Sequence, residues 1–279
     1  MTSILFGLSS AIAWGAGDYA GGIASRRSSA YRATWYGEAF GLLVLLAAAM
    51  VYRESPMPWQ DWAWCVLAGA LGATGLLILY RSLAAGQMSI AAPVSGLMAA
   101  ALPVIVGSLL QGLPRPTTFL GFALALLAVW LVSQGEGASS QALARLSELR
   151  LPLISGVCFG LYFILIHQGS QHALLWPMIA ARCSGTISLT IFAAFQRELR
   201  MPRAALLPWI LLNAAGDIGG NTFYILAGQV GRLDVAAVLS SLYSGVTVIL
   251  AWLLLKERIN RLQLAGILSA LAAIGLLTL

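Results

Sequence analysis

The chain is 279 residues long, 59% hydrophobic and only 9% charged, with a net charge of +6. An ordinary soluble domain is roughly a quarter charged, and so few charges cannot cover the surface of a water-soluble protein of this size. The composition therefore predicts an integral membrane protein, and the positive balance suits basic cytoplasmic loops better than nucleic acid, because no basic stripe is interleaved with aromatics in a polar setting.

A membrane-crossing helix needs ~20 mostly apolar residues. Ten stretches qualify in chain order: 3–25, 33–52, 61–85, 89–112, 117–134, 151–171, 173–195, 204–229, 234–255 and 261–279. The first lacks a basic n-region and outruns a signal-peptide core, so it is expected to stay as a helix. It contains Gly15-x-Gly17-x-x-Ala20, the spacing of a dinucleotide-binding turn. No strand precedes it, so the phosphate-cradling context is missing. Gly17/Gly21 instead form a GxxxG pair, as do Gly37/Gly41, Gly156/Gly160 and Gly216/Gly220; such pairs let helix backbones approach closely in lipid. Cys65, Cys158 and Cys183 lie in apolar runs without ligand spacing. Neither a zinc site, a disulfide nor any cofactor is expected. The longest connection, 135–150, is polar and reads as a linker between 1–134 and 151–279; its second part is either a loop or a short surface helix.

Shifting the sequence by 145 superposes its halves. Ser10, Trp14 and Gly15 fall on Ser155, Phe159 and Gly160; Trp64 falls on Trp209; Ala91, Ala92, Ser95 and Leu97 fall on Ala236, Ala237, Ser240 and Leu242; Gly121 falls on Gly266. One ungapped offset from the first span to the last indicates a duplicated five-helix unit. Because five is odd, the second copy must be inverted. The basic residues agree: eleven of 16 lie in loops after odd-numbered spans, three after even-numbered spans, and Arg81 and Arg182 within spans. The positive-inside rule then puts the odd loops in the cytoplasm and both termini outside. The predicted fold class is an all-α membrane protein, ten transmembrane helices arranged as two inverted five-helix repeats around a central cavity. Such repeats exchange conformations around a shared site, which points to a transporter.

Polar side chains within a span usually face the bundle interior or a wet cavity. Helical spacing puts Ser10, Trp14 and Asp18 on one face of span one, and Asp217, Asn221 and Tyr224 on one face of span eight. Span three carries Thr74, Tyr80 and Arg81; span four Ser95 and Met98; span six Phe159, Tyr162, Phe163 and His167; span nine Ser240, Tyr243, Ser244 and Thr247. The candidate substrate-binding residues are Trp14, Asp18, Tyr80, Ser95, Phe159, Tyr162, Phe163, Asp217, Asn221, Tyr224, Ser240, Tyr243 and Ser244. The serines either line a cavity or bond their own backbone four residues back. Trp59, Trp62, Trp64, Trp176 and Trp209 lie near span ends and fit an interfacial belt. Asp18 is either a solvated carboxylate near the Arg26-Arg27 loop or a group that meets a substrate amine or a proton. Glu38 and Arg182 fall one residue apart in the repeat register, and either pair in the interior or snorkel to separate surfaces.

The stretches "IAAPVSGLMAAALPVIVGSLLQGLPRPTTFLGFALALLAVWL" and "VAAVLSSLYSGVTVILAWLLLKERINRLQLAGILSALAAIGLL" resemble the two EamA repeats of the drug/metabolite transporter superfamily. Trp14-Gly15 and Lys256-Glu257-Arg258 fit that pattern; Gln111-Gly112 departs from it where the second copy has Lys256-Glu257. The resemblance implies a ten-helix carrier of the bacterial inner membrane, similar to its exporters of aromatic and other neutral amino acids. The expected partners are a small-molecule substrate and membrane lipid, with no nucleic acid, and one chain already supplies both halves of a pathway.

An aromatic, hydroxyl-bearing cavity with few charges suits a zwitterionic amino acid, whose ammonium is attracted to aromatic faces. A sugar phosphate or nucleotide sugar would call for several interior cations; only Arg81 and Arg182 are within spans. The alternative is a proton-coupled exporter of cationic or aromatic drugs, with Asp18 or Asp217 titrating. A membrane-embedded lipid-modifying enzyme would call for clustered nucleophiles and sizeable loops, and this chain has two histidines and short loops.

Overall fold

The computed structural model describes residues 1–84, 88–132, 146–196, 203–255 and 261–278, and these are helical apart from short connections. The Lys256-Glu257-Arg258 element, residues 135–145 of the linker and residues 197–202 of the basic loop lie outside the described residues. The first half comprises α1 (Thr2–Arg27), α2 (Ala30–Tyr52), α3 (Trp59–Ala84), α4 (Met88–Leu110) and α5 (Pro116–Val132). The second comprises α6 (Leu146–Gly169), α7 (Leu175–Gln196), α8 (Leu207–Gln229), α9 (Leu233–Ser241), α10 (Tyr243–Leu255) and α11 (Arg261–Thr278), with a 3₁₀ turn, Ala204–Leu206, before α8. The helix α6 already contains residues 146–150, so that part of the linker is continuous with the helix that follows.

Local sequence explains the boundaries. Ser29 caps α2, its side chain accepting from the Arg32 amide at 3.2 Å. The same helix stops at Arg53, which sits in the left-handed region at φ 48° and donates its amide to Ala49 O. Pro56 and Pro58 follow, and cannot continue a helix. The expected single span 234–255 is interrupted at Leu242, between α9 and α10. There Ser241 donates to Val238 O at 2.8 Å, Ser244 to Ser241 O at 3.3 Å and Thr247 to Tyr243 O at 3.0 Å. These hydroxyls serve backbone carbonyls around the break, the usual way an irregular segment is tolerated at membrane depth.

Four of the described helices are long and apolar enough to cross a membrane by length and composition: Ala30–Tyr52, Trp59–Ser82, Arg150–Gly169 and Leu233–Leu254, the last counted through the break. Val94–Leu110 and Pro116–Ala128 are shorter apolar segments. The helices α1 and α8 are equally long, but they carry Ser10, Asp18, Asn213, Asp217 and Asn221 and turn them inward. Large apolar side chains such as Leu5, Met50, Leu109, Ile187 and Leu253 are exposed instead, a surface that suits lipid and not water.

The packing crosses between the halves. The helices α1 and α8 run antiparallel, tied by Ser3 to Ala227 O at 2.9 Å, Ser10 to Gly220 O at 2.9 Å and Asn213 to Gly17 O at 3.1 Å. Gly216 makes this approach possible: a Cβ there would lie 2.6 Å from the Gly17 Cα. The helices α3 and α6 are likewise antiparallel, with Ser155 donating to Gly75 O at 2.8 Å and Cys65 to Gly169 O at 3.5 Å. Next to these pairs, α4 packs on α6 and α1 on α9 and α10; α2 packs on α7, α4 on α9, and α5 on α11. Exchange the first five helices for their counterparts one repeat later, with α9 and α10 taken as one, and every pairing maps onto itself or onto another in this set.

Candidate functional site

Where α1, α2, α3, α6, α7, α8 and α10 converge they leave a cavity with about 70 Å³ of room for water-sized occupants. The chemistry of its wall comes from three carboxyls (Asp18, Glu38 and Asp217), one guanidinium (Arg182) and five aromatic rings (Trp14, Phe159, Tyr162, Phe163 and Tyr243), together with Asn221. Gly69, Gly72, Ala73 and Ala181 supply small surfaces; Leu45, Leu76, Met178 and Ile218 supply apolar ones.

The aromatic side is a packed stack. The Trp14 ring lies 5.3 Å from Phe163 and 5.7 Å from Tyr224, while Phe163 and Tyr224 stack at 4.7 Å. Tyr243 meets Trp14 edge-on at 6.4 Å, and Tyr162 lies 5.9 Å from Phe163. Offset and edge-to-face pairs at these distances are favourable beyond their burial. Gly220 makes room for the indole, since a Cβ at that position would overlap the Trp14 ring.

The polar side is organised by Arg182, only 5% exposed. It is paired with Asp217, approaches Glu38 Oε1 at 3.3 Å and lies 3.5 Å from Gly37 O. Trp14 Nε1 donates to the other Asp217 oxygen at 3.1 Å, so Asp217 joins the ionic network to the aromatic stack. Asn221 donates to Asp217 O at 2.7 Å and accepts from the Tyr162 hydroxyl. Asp18 is held apart from this group: Tyr80 donates to it at 3.3 Å, and Asn213 in turn donates to the Tyr80 hydroxyl at 2.5 Å. Charges withdrawn from water are tolerated when paired and hydrogen-bonded, and here one cation serves two of the three acids.

Of the thirteen residues expected at the site, eight line the cavity: Trp14, Asp18, Phe159, Tyr162, Phe163, Asp217, Asn221 and Tyr243. Five stand outside the wall. Tyr80 buttresses Asp18; Tyr224 packs behind Trp14 and donates to Phe163 O at 3.0 Å. Ser95 lies 3.4 Å from Ser155, Ser244 donates to a carbonyl at the helix break, and Ser240 is fully buried. Glu38 and Arg182, whose repeat register suggested either a pair or separate snorkelling, are paired. Asn213, which orients the Tyr80 hydroxyl, was not among the expected residues, although it lies four residues before Asp217 on the helix face that Asp217 and Asn221 mark.

A chain built of apolar helices around a charged, aromatic cavity has the makings of a multi-pass membrane carrier. The model of the EamA-like transporter family matches residues 1–134 and 147–279, and the chain belongs to that family. Two EamA copies thus occupy the two halves, in a family of membrane-embedded transporters of small molecules. No curated protein matches the chain. A solved structure described only as a crystal structure of a protein is similar in fold, with a TM-score of 0.78 over 99% of this chain and 96% of the other at 15% identity; at that identity the likeness speaks for the fold alone.

Proposed function

We propose that the protein is a YddG-type secondary transporter of the bacterial inner membrane that exports neutral and aromatic amino acids, or similar small metabolites, by alternating access. Ten spans form two inverted five-helix repeats, with both termini on the periplasmic side. The exchange pattern in the packing supports this reading. Helix direction supports it too: α8, the counterpart of α3, runs antiparallel to α1, and α6, the counterpart of α1, runs antiparallel to α3.

The single observation that carries the substrate is the placement of Arg182 between acids and beside an aromatic stack. A free amino acid brings a carboxylate, an ammonium and a side chain. The carboxylate competes with Asp217 and Glu38 for Arg182, the cation geometrically suited to it. The ammonium released into the cavity meets the freed acids, Asp18 and the faces of Trp14 and Tyr162. Phe159, Leu76 and Met178 bound the space left for the side chain. Binding then rearranges the network that joins α2, α7 and α8, which links occupancy to helix movement.

The three carboxyls against one guanidinium favour a second reading, proton-coupled export of cationic or aromatic drugs. Reconstitution into liposomes decides between them. Uptake of labelled neutral amino acids that persists without a pH gradient is the expected outcome. Transport confined to cationic dyes and abolished when the gradient is collapsed would replace the amino-acid reading by the drug reading.

A further inference from the structure

Two glycines of α3 seat two rings of α6. A Cβ on Gly72 would lie 2.9 Å from Cδ2 and 3.3 Å from Cε2 of Tyr162, and a Cβ on Gly75 would lie 3.1 Å from Cδ1 and Cε1 of Phe159. Both rings, and Gly72 itself, belong to the cavity wall. The Phe159 seat recurs one repeat later, where Gly220 makes room for Trp14. The Tyr162 seat does not recur. One repeat on from Gly72 stands Asp217, and the counterpart of Tyr162 is Gly17, whose Cβ would lie 3.3 Å from the Asp217 amide nitrogen. At equivalent places in the two interlocked helix pairs, one wall therefore carries a ring on a glycine and the other an acid beside a glycine. This exchange gives the cavity an apolar side and a charged side. The Tyr162 ring is also held at its far end: its hydroxyl donates to Asn221 of α8, whose own amide is committed to Asp217 O at 2.7 Å.

We propose that Gly72 sets the size of the substrate side chain that the cavity accepts, by letting the Tyr162 ring lie back against α3. The inference rests on the amino-acid reading and deepens it. With the substrate carboxylate on Arg182, its side chain occupies the space that Leu76, Phe159 and Tyr162 bound. The missing methyl group at position 72 is then volume left to the substrate. A methyl added there would press on the ring more closely than van der Waals packing allows. With its hydroxyl tethered to α8, the ring yields away from α3, into the space for the side chain. Gly72 acts through Tyr162 and is a positioning residue.

The full chain, Gly72→Ala, Tyr162→Leu and the double variant are reconstituted into liposomes, and KM is measured for labelled alanine and labelled tryptophan. The readout is the ratio of the tryptophan KM to the alanine KM, which a loss of folded protein or of turnover does not move. Gly72→Ala is expected to raise this ratio about tenfold, as a misfit of one methyl group in a packed pocket does, and Tyr162→Leu to lower it about threefold. The double variant lacks the ring that the methyl displaces, so its ratio is expected to stay within about twofold of the Tyr162→Leu value. If Gly72→Ala does not fold, Tyr162→Leu decides: a lowered ratio supports the inference and an unchanged one overturns it. A wild-type ratio in Gly72→Ala, or a rise of equal size when the methyl is added to Tyr162→Leu, overturns the inference and leaves amino-acid transport standing. A wild type that carries neither amino acid overturns the underlying reading and this inference with it.

Discussion

Arg182 of α7 and Asp217 of α8 face one another on the polar wall of the cavity they line, and the same guanidinium approaches Glu38 of α2 at 3.3 Å. One side chain thus holds together helices from both halves of the chain. Removing it leaves two acids in a nearly dry place without a counter-charge, so Arg182→Ala is expected to lower stability by about 3–5 kcal/mol. The double variant Arg182→Gln/Asp217→Asn is expected to lose less than the sum of its single changes, because the pair is deleted as a unit. Chemical unfolding in detergent micelles measures both; strict additivity would show that the paired groups do not act together.

Asp18 separates the two transport readings. It stands apart from Arg182, with Tyr80 as its hydrogen-bond donor. Asp18→Asn preserves shape and removes the exchangeable proton. Amino-acid flux in liposomes is expected to fall by less than about tenfold and to keep its indifference to pH, which corresponds to one weakened contact. Complete loss of flux, with loss of pH-driven dye export, would mark Asp18 as a proton carrier.

Close backbone approach between α1 and α8 rests on Gly216. A Cβ there would lie 2.6 Å from Gly17 Cα and 2.7 Å from Ala13 O, and neither is a flexible chain end. Gly216→Val is expected to destabilise by about 1–3 kcal/mol or more through overpacking. Gly245, whose Cβ would meet nothing within 4 Å, is the control: Gly245→Ala should leave thermal stability unchanged or slightly raised.

The connections at 53–58, 111–115, 170–174 and 230–232 share one end of the bundle, and ties between the halves gather there. Glu54 accepts from the amides of Leu174, Leu175 and Trp176 at 2.8, 2.8 and 3.1 Å, capping α7 from the first half. His172 meets Asp61 at 2.9 Å. Glu54→Ala is expected to cost about 1–2 kcal/mol, as lost caps do, and to raise the labelling rate of a cysteine introduced at Met178 by a membrane-impermeant thiol reagent added from that end. Faster labelling would identify the cap as a latch; unchanged labelling with lower stability would leave it a cap only.

At the same end Arg232 donates to Asp234 at 2.7 and 3.0 Å, and to Gln111 O and Gly112 O at 3.2 and 2.8 Å. The Asp234 carboxylate, itself fully buried, holds the Arg232 pKa above its ordinary value through these hydrogen bonds. The guanidinium is therefore charged at every working pH. Arg232→Ala removes the counter-charge of Asp234, and the expected loss of about 1 kcal/mol, small because the guanidinium is partly exposed to solvent, should be largely recovered by adding Asp234→Asn. Failure of that rescue would mean the carbonyl contacts, not the ion pair, carry the effect.

Hydropathy marks the helices in the sequence because lipid leaves the backbone no other partner, and a spacing of four puts Trp14 with Asp18 and Asp217 with Asn221. The repeat offset sets Glu38 and Arg182 one residue apart in register, and the folded chain joins them. Other features have no local signal. Tyr80 and Tyr224 carry the same side chain as Tyr162, yet neighbouring glycines and carbonyls decide which ring reaches the cavity. Gly69 and Gly72 matter through the helices that press on them. Ser241 and Ser244 fit a polar face equally well as a hydroxyl ladder, and only the break at Leu242 distinguishes these roles.

The cross-half packing bears on how the molecule is assembled. Since α1 is sealed to α8 and α3 to α6, neither half owns a complete bundle; each offers surfaces that only the other can cover. Two fragments divided between 135 and 145 should each be short-lived when made alone and should recover as a pair when made together. A border drawn through this packing runs between mixed sets of helices and does not follow the division between the two EamA copies.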